Sequence, residues 1–130
     1  MSIEVGLKGR SDTVVTRQNT ADAIGSGLVP VFATPYMIAL MENAAANSLL
    51  PHLAEDEGSV GTHLNVAHSS ATPIGMKVWA ETVVTAVEGK KITFEVAAFD
   101  EAGEIGRGTH ERFIIKPEKF LAKTQGKLNR

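Results

Sequence analysis

The segment from Leu28 to Pro51 predicts one long helix, and this helix constrains the fold more than any other part of the 130-residue chain. Thr34 suits the N-cap position and Pro35 suits the first helical position. The predicted helix therefore runs from Pro35 to Leu50, and Pro51 ends it. Its apolar side chains point to nearly all sides: Met37, Ile38, Leu40, Met41, Ala44, Ala45, Leu49 and Leu50. Such a helix is expected to be buried, so other elements must surround it.

Glu42 stands near the middle of this predicted helix. It is the only acidic or basic residue between Ala23 and Ala54 when histidine is counted as neutral. An isolated carboxylate is costly to bury, which makes Glu42 the first candidate for a functional residue. The alternative is a structural carboxylate that is hydrogen-bonded to the backbone or to Asn43. The sequence leaves both interpretations open.

The composition favours a single domain over residues 1–130 and excludes several classes of site. The formal net charge of −2 does not indicate a nucleic-acid partner. There is no cysteine, so disulfides and thiolate ligands are absent. The four histidines have no recognisable metal-ligand spacing: His52, His63, His68 and His110. We therefore do not expect a metal site.

The two ends of the chain carry no clear targeting or binding signal. The first residues lack the apolar core of a signal peptide, and no apolar run reaches the length of a membrane span. We expect a soluble, cytoplasmic protein without a membrane partner. Basic residues near the end are interpreted as a solvated terminus rather than a binding patch: Lys116, Lys119, Lys123, Lys127 and Arg130.

The remaining segments predict strands. Residues 1–12 are interpreted as a loose lead-in, and Gly25, Ser26 and Gly27 make residues 19–30 a possible lid. Alternating or β-branched patterns predict strands at Thr13–Thr16, Val60–Ala67, Met76–Glu88, Lys90–Asp100 and Glu104–Lys116. The last three are joined by short turns and form an antiparallel meander.

One long helix with about five antiparallel strands predicts an α+β domain in which the sheet curls around the helix. This is the plan of the hotdog fold. A single sheet covers only one side of the helix and leaves an exposed edge. We therefore expect a homodimer with the helices near the subunit interface, and a tetramer as the alternative.

The common nucleophile, phosphate and zinc motifs are absent from the sequence. The glycines Gly103, Gly106 and Gly108 fall where a turn and a strand are expected, so they are interpreted as a bulge or a close backbone approach.

Two polar residues remain as candidates beside Glu42. Thr34 at the helix start lies where backbone N–H groups favour a developing oxyanion, although a plain helix cap is the alternative. His68 follows a predicted strand in a polar loop, where an exposed histidine is the ordinary interpretation. Thr34 and Glu42 are about 12 Å apart along the helix, so one chain cannot bring both to the same substrate atom. In a dimer with antiparallel helices, the start of one helix can meet the middle of the other.

Three motifs resemble the fluoroacetyl-CoA thioesterase family, whose members have the hotdog fold: VFATPYMIALMENA, GSVGTHLNVAHSSATPIG and EIGRGTHERFIIKPEKFLAK. The resemblance extends from about Val31 to Lys123. It implies that Thr34, Glu42 and His68 form the catalytic set. It also implies that Gly61 and Arg112 help to form the substrate site.

The resemblance implies hydrolysis of an acyl-CoA thioester, with coenzyme A as part of the substrate and no cofactor. In one route Thr34 attacks the carbonyl with His68 as base, and Glu42 orients or charges the histidine. In the other route Glu42 attacks directly or activates water. The sequence does not separate these routes. The rival classes are a non-catalytic acyl-CoA binder and an enoyl-CoA hydratase-type enzyme.

Two residues depart from the family pattern. Pro35 stands where the fluoroacetyl-specific enzyme has glycine, so one backbone N–H is missing at the helix start. Leu28 stands where that enzyme has an aromatic lid residue. We therefore expect both positions to influence substrate binding, and we expect a short or medium acyl-CoA rather than fluoroacetyl-CoA as substrate.

Overall fold

The computed structural model describes residues 2–129, so the ends of the predicted domain, Met1 and Arg130, lie outside the described residues. The helices are α1 (Ala21–Ile24), α2 (Thr34–Leu49) and α3 (Pro117–Gln125). The strands are β1 (Lys8–Val14), β2 (Gly58–His68), β3 (Lys77–Glu88), β4 (Lys91–Asp100) and β5 (Gly103–Ile115). Short 3₁₀ turns follow α2 at Leu50–His52 and α3 at Gly126–Asn129.

The strands form one antiparallel sheet in the order β1-β3-β4-β5-β2. Short turns join β3 to β4 and β4 to β5, as the sequence predicts. Gly89 has a φ of 65° in the first turn, a conformation that glycine adopts without strain. The α+β hotdog plan, with five strands around one long helix, is confirmed.

The core lies between α2 and the inner face of the sheet. Every second residue of the central strands is buried: Val78, Ala80, Thr82 and Val84 on β3, and Ile92, Phe94, Val96 and Ala98 on β4. One face of α2 packs on them through Met37, Leu40, Met41, Ala44, Ala45 and Leu49. This recurrence at every second position is why the strands could be predicted, and Ala97, which is also buried, is an exception to the alternation on β4.

The opposite face of α2 is exposed in the single chain. Tyr36, Ala39, Asn43 and Asn47 are exposed and recur at helical spacing along this face. The expectation that α2 is buried on all sides is therefore wrong for one chain, because a single sheet covers only one side of the helix.

The start of α2 differs from the prediction. Ala33 is the N-cap residue and makes no side-chain cap, while Thr34 is already helical. The expected cap by the Thr34 hydroxyl is wrong because this hydroxyl bonds to a different partner, described below. The helix ends at Leu49, and Pro51 lies inside the following 3₁₀ turn.

The segments before α2 and after β5 contain more regular secondary structure than the sequence predicts. The expected loose lead-in contains most of β1, which pairs with β3 from Lys8↔Val83 to Val14↔Lys77. In the segment expected to be a lid, Asn19 and Thr20 are buried and α1 follows them. At the other end α3 is exposed along its length. No helix within residues 2–129 is long and apolar enough to cross a membrane.

Candidate active site

Thr34 and His68 meet at the start of α2. The Thr34 hydroxyl oxygen lies 2.7 Å from Nδ1 of His68, which is the last residue of β2. These residues are 34 positions apart in the chain and come together because the end of β2 passes the first turn of α2. The distance is that of a hydrogen bond, and it suits a histidine that accepts a proton from a hydroxyl.

The surroundings of His68 favour the neutral form of its ring. Burial lowers the pKa of His68, and the backbone of Ser70 acts in the opposite direction. Its Nε2 is buried and has no hydrogen-bond partner within residues 2–129. An unpaired buried polar atom costs about 1–3 kcal/mol, so such atoms are uncommon in structural positions. A neutral imidazole beside a hydroxyl is the form that a general base requires.

The first turn of α2 has few free backbone donors. Pro35 has no N–H, and the N–H of Tyr36 donates to the carbonyl of Ala33 at 3.0 Å. The N–H of Thr34 makes no hydrogen bond to any residue that the structure describes. It is therefore available to an anion at the helix start.

Glu42 belongs to a second cluster, with Gly61 and Arg112. Its Oε2 lies 3.7 Å from Nη1 of Arg112, and its side chain is 37% exposed. A Cβ added at Gly61 would lie 2.5 Å from Glu42 Oε2 and 3.4 Å from Arg112 Nη1. The glycine therefore makes room for the carboxylate against β2. A register shift between Gly61 and His63 marks a bulge at this point.

Two residues that the sequence analysis did not single out hold Arg112. Ser59 accepts two bonds from the guanidinium, at 2.8 Å from Nε to its hydroxyl and 3.0 Å from Nη2 to its carbonyl. Nη1 lies 3.2 Å from Nε2 of the fully buried His110. The sequence could have indicated this contact, because His110 and Arg112 are two residues apart on one predicted strand and their side chains therefore lie on the same face of the sheet.

The two clusters of one chain are well separated. Thr34 and Glu42 are about 12 Å apart along the helix axis, and Gly61 and His68 are about 23 Å apart along β2. The single chain thus joins Thr34 to His68 and Glu42 to Arg112, but it does not join the two pairs. Leu28, which is 96% exposed, and Pro35 at the helix start are not covered by any other part of the single chain that the structure describes.

Within the described part of the chain, no three histidine or acidic side chains are grouped so that they could hold a metal ion. The absence of a metal and a cofactor from the reaction stays a prediction.

Solved structures place this architecture in a class. A hypothetical protein from Thermus thermophilus, described as a thioesterase superfamily member, is 31% identical with a TM-score of 0.90, over 99% of this chain and 96% of that one. A crystal structure of the fluoroacetyl-CoA thioesterase FlK is 38% identical with a TM-score of 0.92, over 98% of each chain. The fold is that of the hotdog thioesterases.

The sequence defines the family more narrowly. The model of the fluoroacetyl-CoA-specific thioesterase family matches residues 15–118. The fluoroacetyl-CoA thioesterase of Streptantibioticus cattleyicolor is 45% identical over 97 residues, which are 75% of this chain and 70% of that protein. The chain therefore belongs to the fluoroacetyl-CoA-specific thioesterase family and is a thioester hydrolase.

Proposed function

We propose that this enzyme hydrolyses a short or medium acyl-CoA to the free acid and coenzyme A. The observation that carries the proposal is the 2.7 Å contact between the Thr34 hydroxyl and Nδ1 of a partly buried His68. In support, variants of a related thioesterase have been crystallised with fluoroacetate and CoA, and with acetyl-CoA.

In the proposed reaction His68 removes the hydroxyl proton as Thr34 Oγ1 attacks the thioester carbonyl. The free N–H of Thr34 donates to the resulting oxyanion, with the dipole of α2 in support. Collapse of the tetrahedral intermediate expels the coenzyme A thiolate, which takes up a proton. Water then hydrolyses the acyl-threonine. The alternative routes are direct attack by Glu42 and activation of water by Glu42. Mass spectrometry of a trapped acyl-enzyme distinguishes them, because the acyl group is carried by Thr34 in the first route, by Glu42 in the second and by neither residue in the third.

The proposed site is assembled across a homodimer. Thr34 and His68 of one chain form one half, and Glu42 and Arg112 of the partner form the other. A two-fold axis makes such an exchange reciprocal and creates two equal sites. Two features of the single chain support this arrangement. β2 is a sheet edge of 11 residues, and the face of α2 away from the sheet is exposed.

We infer a substrate range wider than fluoroacetyl-CoA from the segment before α2. Leu28 and Val29 are 96% and 55% exposed, and an aliphatic side chain at Leu28 lacks the flat ring of an aromatic lid residue. An aliphatic side chain offers no polar contact that would select a fluorine atom, and an apolar pocket separates acyl groups that differ by one methylene by about 1–3 kcal/mol. Activity is therefore expected with more than one short or medium acyl chain, and without a large preference for fluorine.

The proposal is tested by thiol release from a panel of acyl-CoAs, including acetyl-, fluoroacetyl- and hexanoyl-CoA. Thr34→Ala, Glu42→Gln and His68→Gln are each expected to lower kcat at least about 100-fold. Counterparts outside the proposed site serve as matched controls and should retain activity: Thr124→Ala, Glu118→Gln and His52→Gln. Absence of thiol release with every acyl group contradicts the proposal and favours the non-catalytic binder. Hydration of crotonyl-CoA without thiol release favours the hydratase.

A further inference from the structure

Arg112 is a buried cation whose orientation is fixed from two sides. It is 7% exposed, and Ser59 accepts from Nε and from Nη2. The remaining contact is at Nη1, which faces His110 Nε2 at 3.2 Å and Glu42 Oε2 at 3.7 Å. The second distance is too long for a hydrogen bond, so Glu42 alone does not fix this end of the guanidinium.

The hydrogen bond at Nδ1 of His110 determines the tautomer of this ring. Nδ1 lies 2.8 Å from the carbonyl oxygen of His63, which can only accept a hydrogen bond. Nδ1 therefore carries the proton. In the neutral ring Nε2 then has a free lone pair, and it accepts a hydrogen bond from Arg112 Nη1.

The surroundings of His110 hold its ring in place and favour the neutral form. The ring is fully buried and stacks on Phe94, with centroids 5.9 Å apart and an interplanar angle of 26°. Burial lowers the pKa of His110, and the charge of Arg112 lowers it further. The bond to the His63 carbonyl and the carboxylates of Glu42 and Glu111 act in the opposite direction.

We infer that His110 is a positioning residue, which holds Arg112 Nη1 beside Glu42 through the lone pair on its Nε2. Of the five N–H groups of the guanidinium, Ser59 and His110 engage three, so two remain for a ligand. With its plane fixed at both ends, Arg112 meets an incoming acyl group without first having to be ordered. The expected effect of His110 on catalysis rests on the proposed thioesterase function, whereas the assignment of the His110 tautomer does not depend on that function.

The tautomer is tested in the unmodified protein. A two-bond ¹H–¹⁵N correlation spectrum at neutral pH should show His110 protonated at Nδ1 and unprotonated at Nε2. A ring protonated at Nε2 cannot accept from Arg112, and that result would overturn the inference whatever the activity of the enzyme.

The effect on Arg112 is tested with a pair of variants. In His110→Gln the terminal amide reaches the position of Nε2 and offers an oxygen acceptor, whereas the shorter amide of His110→Asn reaches only the position of Nδ1. We expect the Nε–H resonance of Arg112, assigned with Arg112→Lys, to persist in His110→Gln and to broaden or vanish in His110→Asn. Phe94→Leu controls for a loosened core and should keep the resonance.

Kinetics complete the test. His110→Asn should lower kcat/KM by about 10- to 100-fold, and His110→Gln by less than about threefold. Equal losses in the two variants, with unchanged Arg112 resonances in both, would show that His110 only fills space. If thiol release is absent even from the unmodified enzyme, the proposed function fails, but the tautomer and the Arg112 resonance still decide the role of His110.

Discussion

The single hydroxyl of Thr34 illustrates what could and could not be predicted for individual residues. Its residue type and its place before Pro35 predict a helix cap, whereas the structure directs the hydroxyl to His68 Nδ1 at 2.7 Å. Local spacing cannot reveal a partner 34 positions away in the chain. The family resemblance pointed to these residues, but it gave no account of Ser59 and His110 behind Arg112.

The partly buried His68 and the fully buried His110 give the stability of the fold a pH dependence. Burial lowers the pKa of His68 and His110 below their ordinary value of 6.5. Below 6.5 the unfolded chain takes up protons that the folded chain resists, so the free energy of unfolding falls as the pH decreases. Above that pH the contribution is complete. We expect Tm to decrease between pH 7 and pH 5, and to decrease less in the double variant His68→Gln/His110→Gln. Identical slopes in the two proteins would contradict this assignment.

A substitution at Gly61 tests whether activity depends on the position of the Glu42 side chain. A Cβ at this position would lie 2.5 Å from Glu42 Oε2 and 3.1 Å from His110 Cε1, so the carboxylate must move. Gly61→Ala is expected to lower kcat/KM by at least about tenfold. Gly58→Ala, on the same strand, meets only Pro117 at 3.3 Å or more and serves as the control. Equal activity of the two variants in the thiol-release assay would mean that the position of Glu42 is not critical.

The regular elements differ in how far their own sequences specify them. Along most of β3 and β4 every second residue is apolar and buried, so their positions and the meander could be predicted. β1 has the sequence KGRSDTV, with a strand-forming residue pair only at its end. It is a strand because it pairs with β3 at the sheet edge, and tertiary context overrides the weak local preference.

The close approach of β1 to α2 predicts a large effect from one methyl group. A Cβ at Gly9 would overlap the carbonyl oxygen of Ala44 and lie 2.7 Å from the Thr82 hydroxyl. Gly9→Ala should therefore lower the free energy of unfolding by about 1–3 kcal/mol, measured by urea denaturation. Gly126→Ala has no neighbour within 4 Å and should leave stability nearly unchanged. Equal stability of both variants would mean that β1 does not pack against α2 as described.

At the scale of the whole molecule, one chain holds the parts of the proposed site in two separate places. Thr34 and His68 meet at the start of α2, while Glu42 lies about 12 Å further along this helix and faces Arg112 of β5. The periodicity of α2 predicts that more than one sheet is needed to cover it, and its exposed face agrees with that expectation. Which chain supplies which residue could not be predicted from one sequence, because the answer depends on the symmetry of the pair.

Mixing two inactive variants tests the shared site most directly. If each site takes Thr34 from one chain and Glu42 from the other, then Thr34→Ala and Glu42→Gln chains form mixed dimers with one intact site. Co-refolding of equal amounts should restore about one quarter of the activity of the unmodified enzyme, because half the dimers are mixed and each has one working site of two. Light scattering establishes that dimers form. No recovery of thiol release from the mixed dimers would contradict the account.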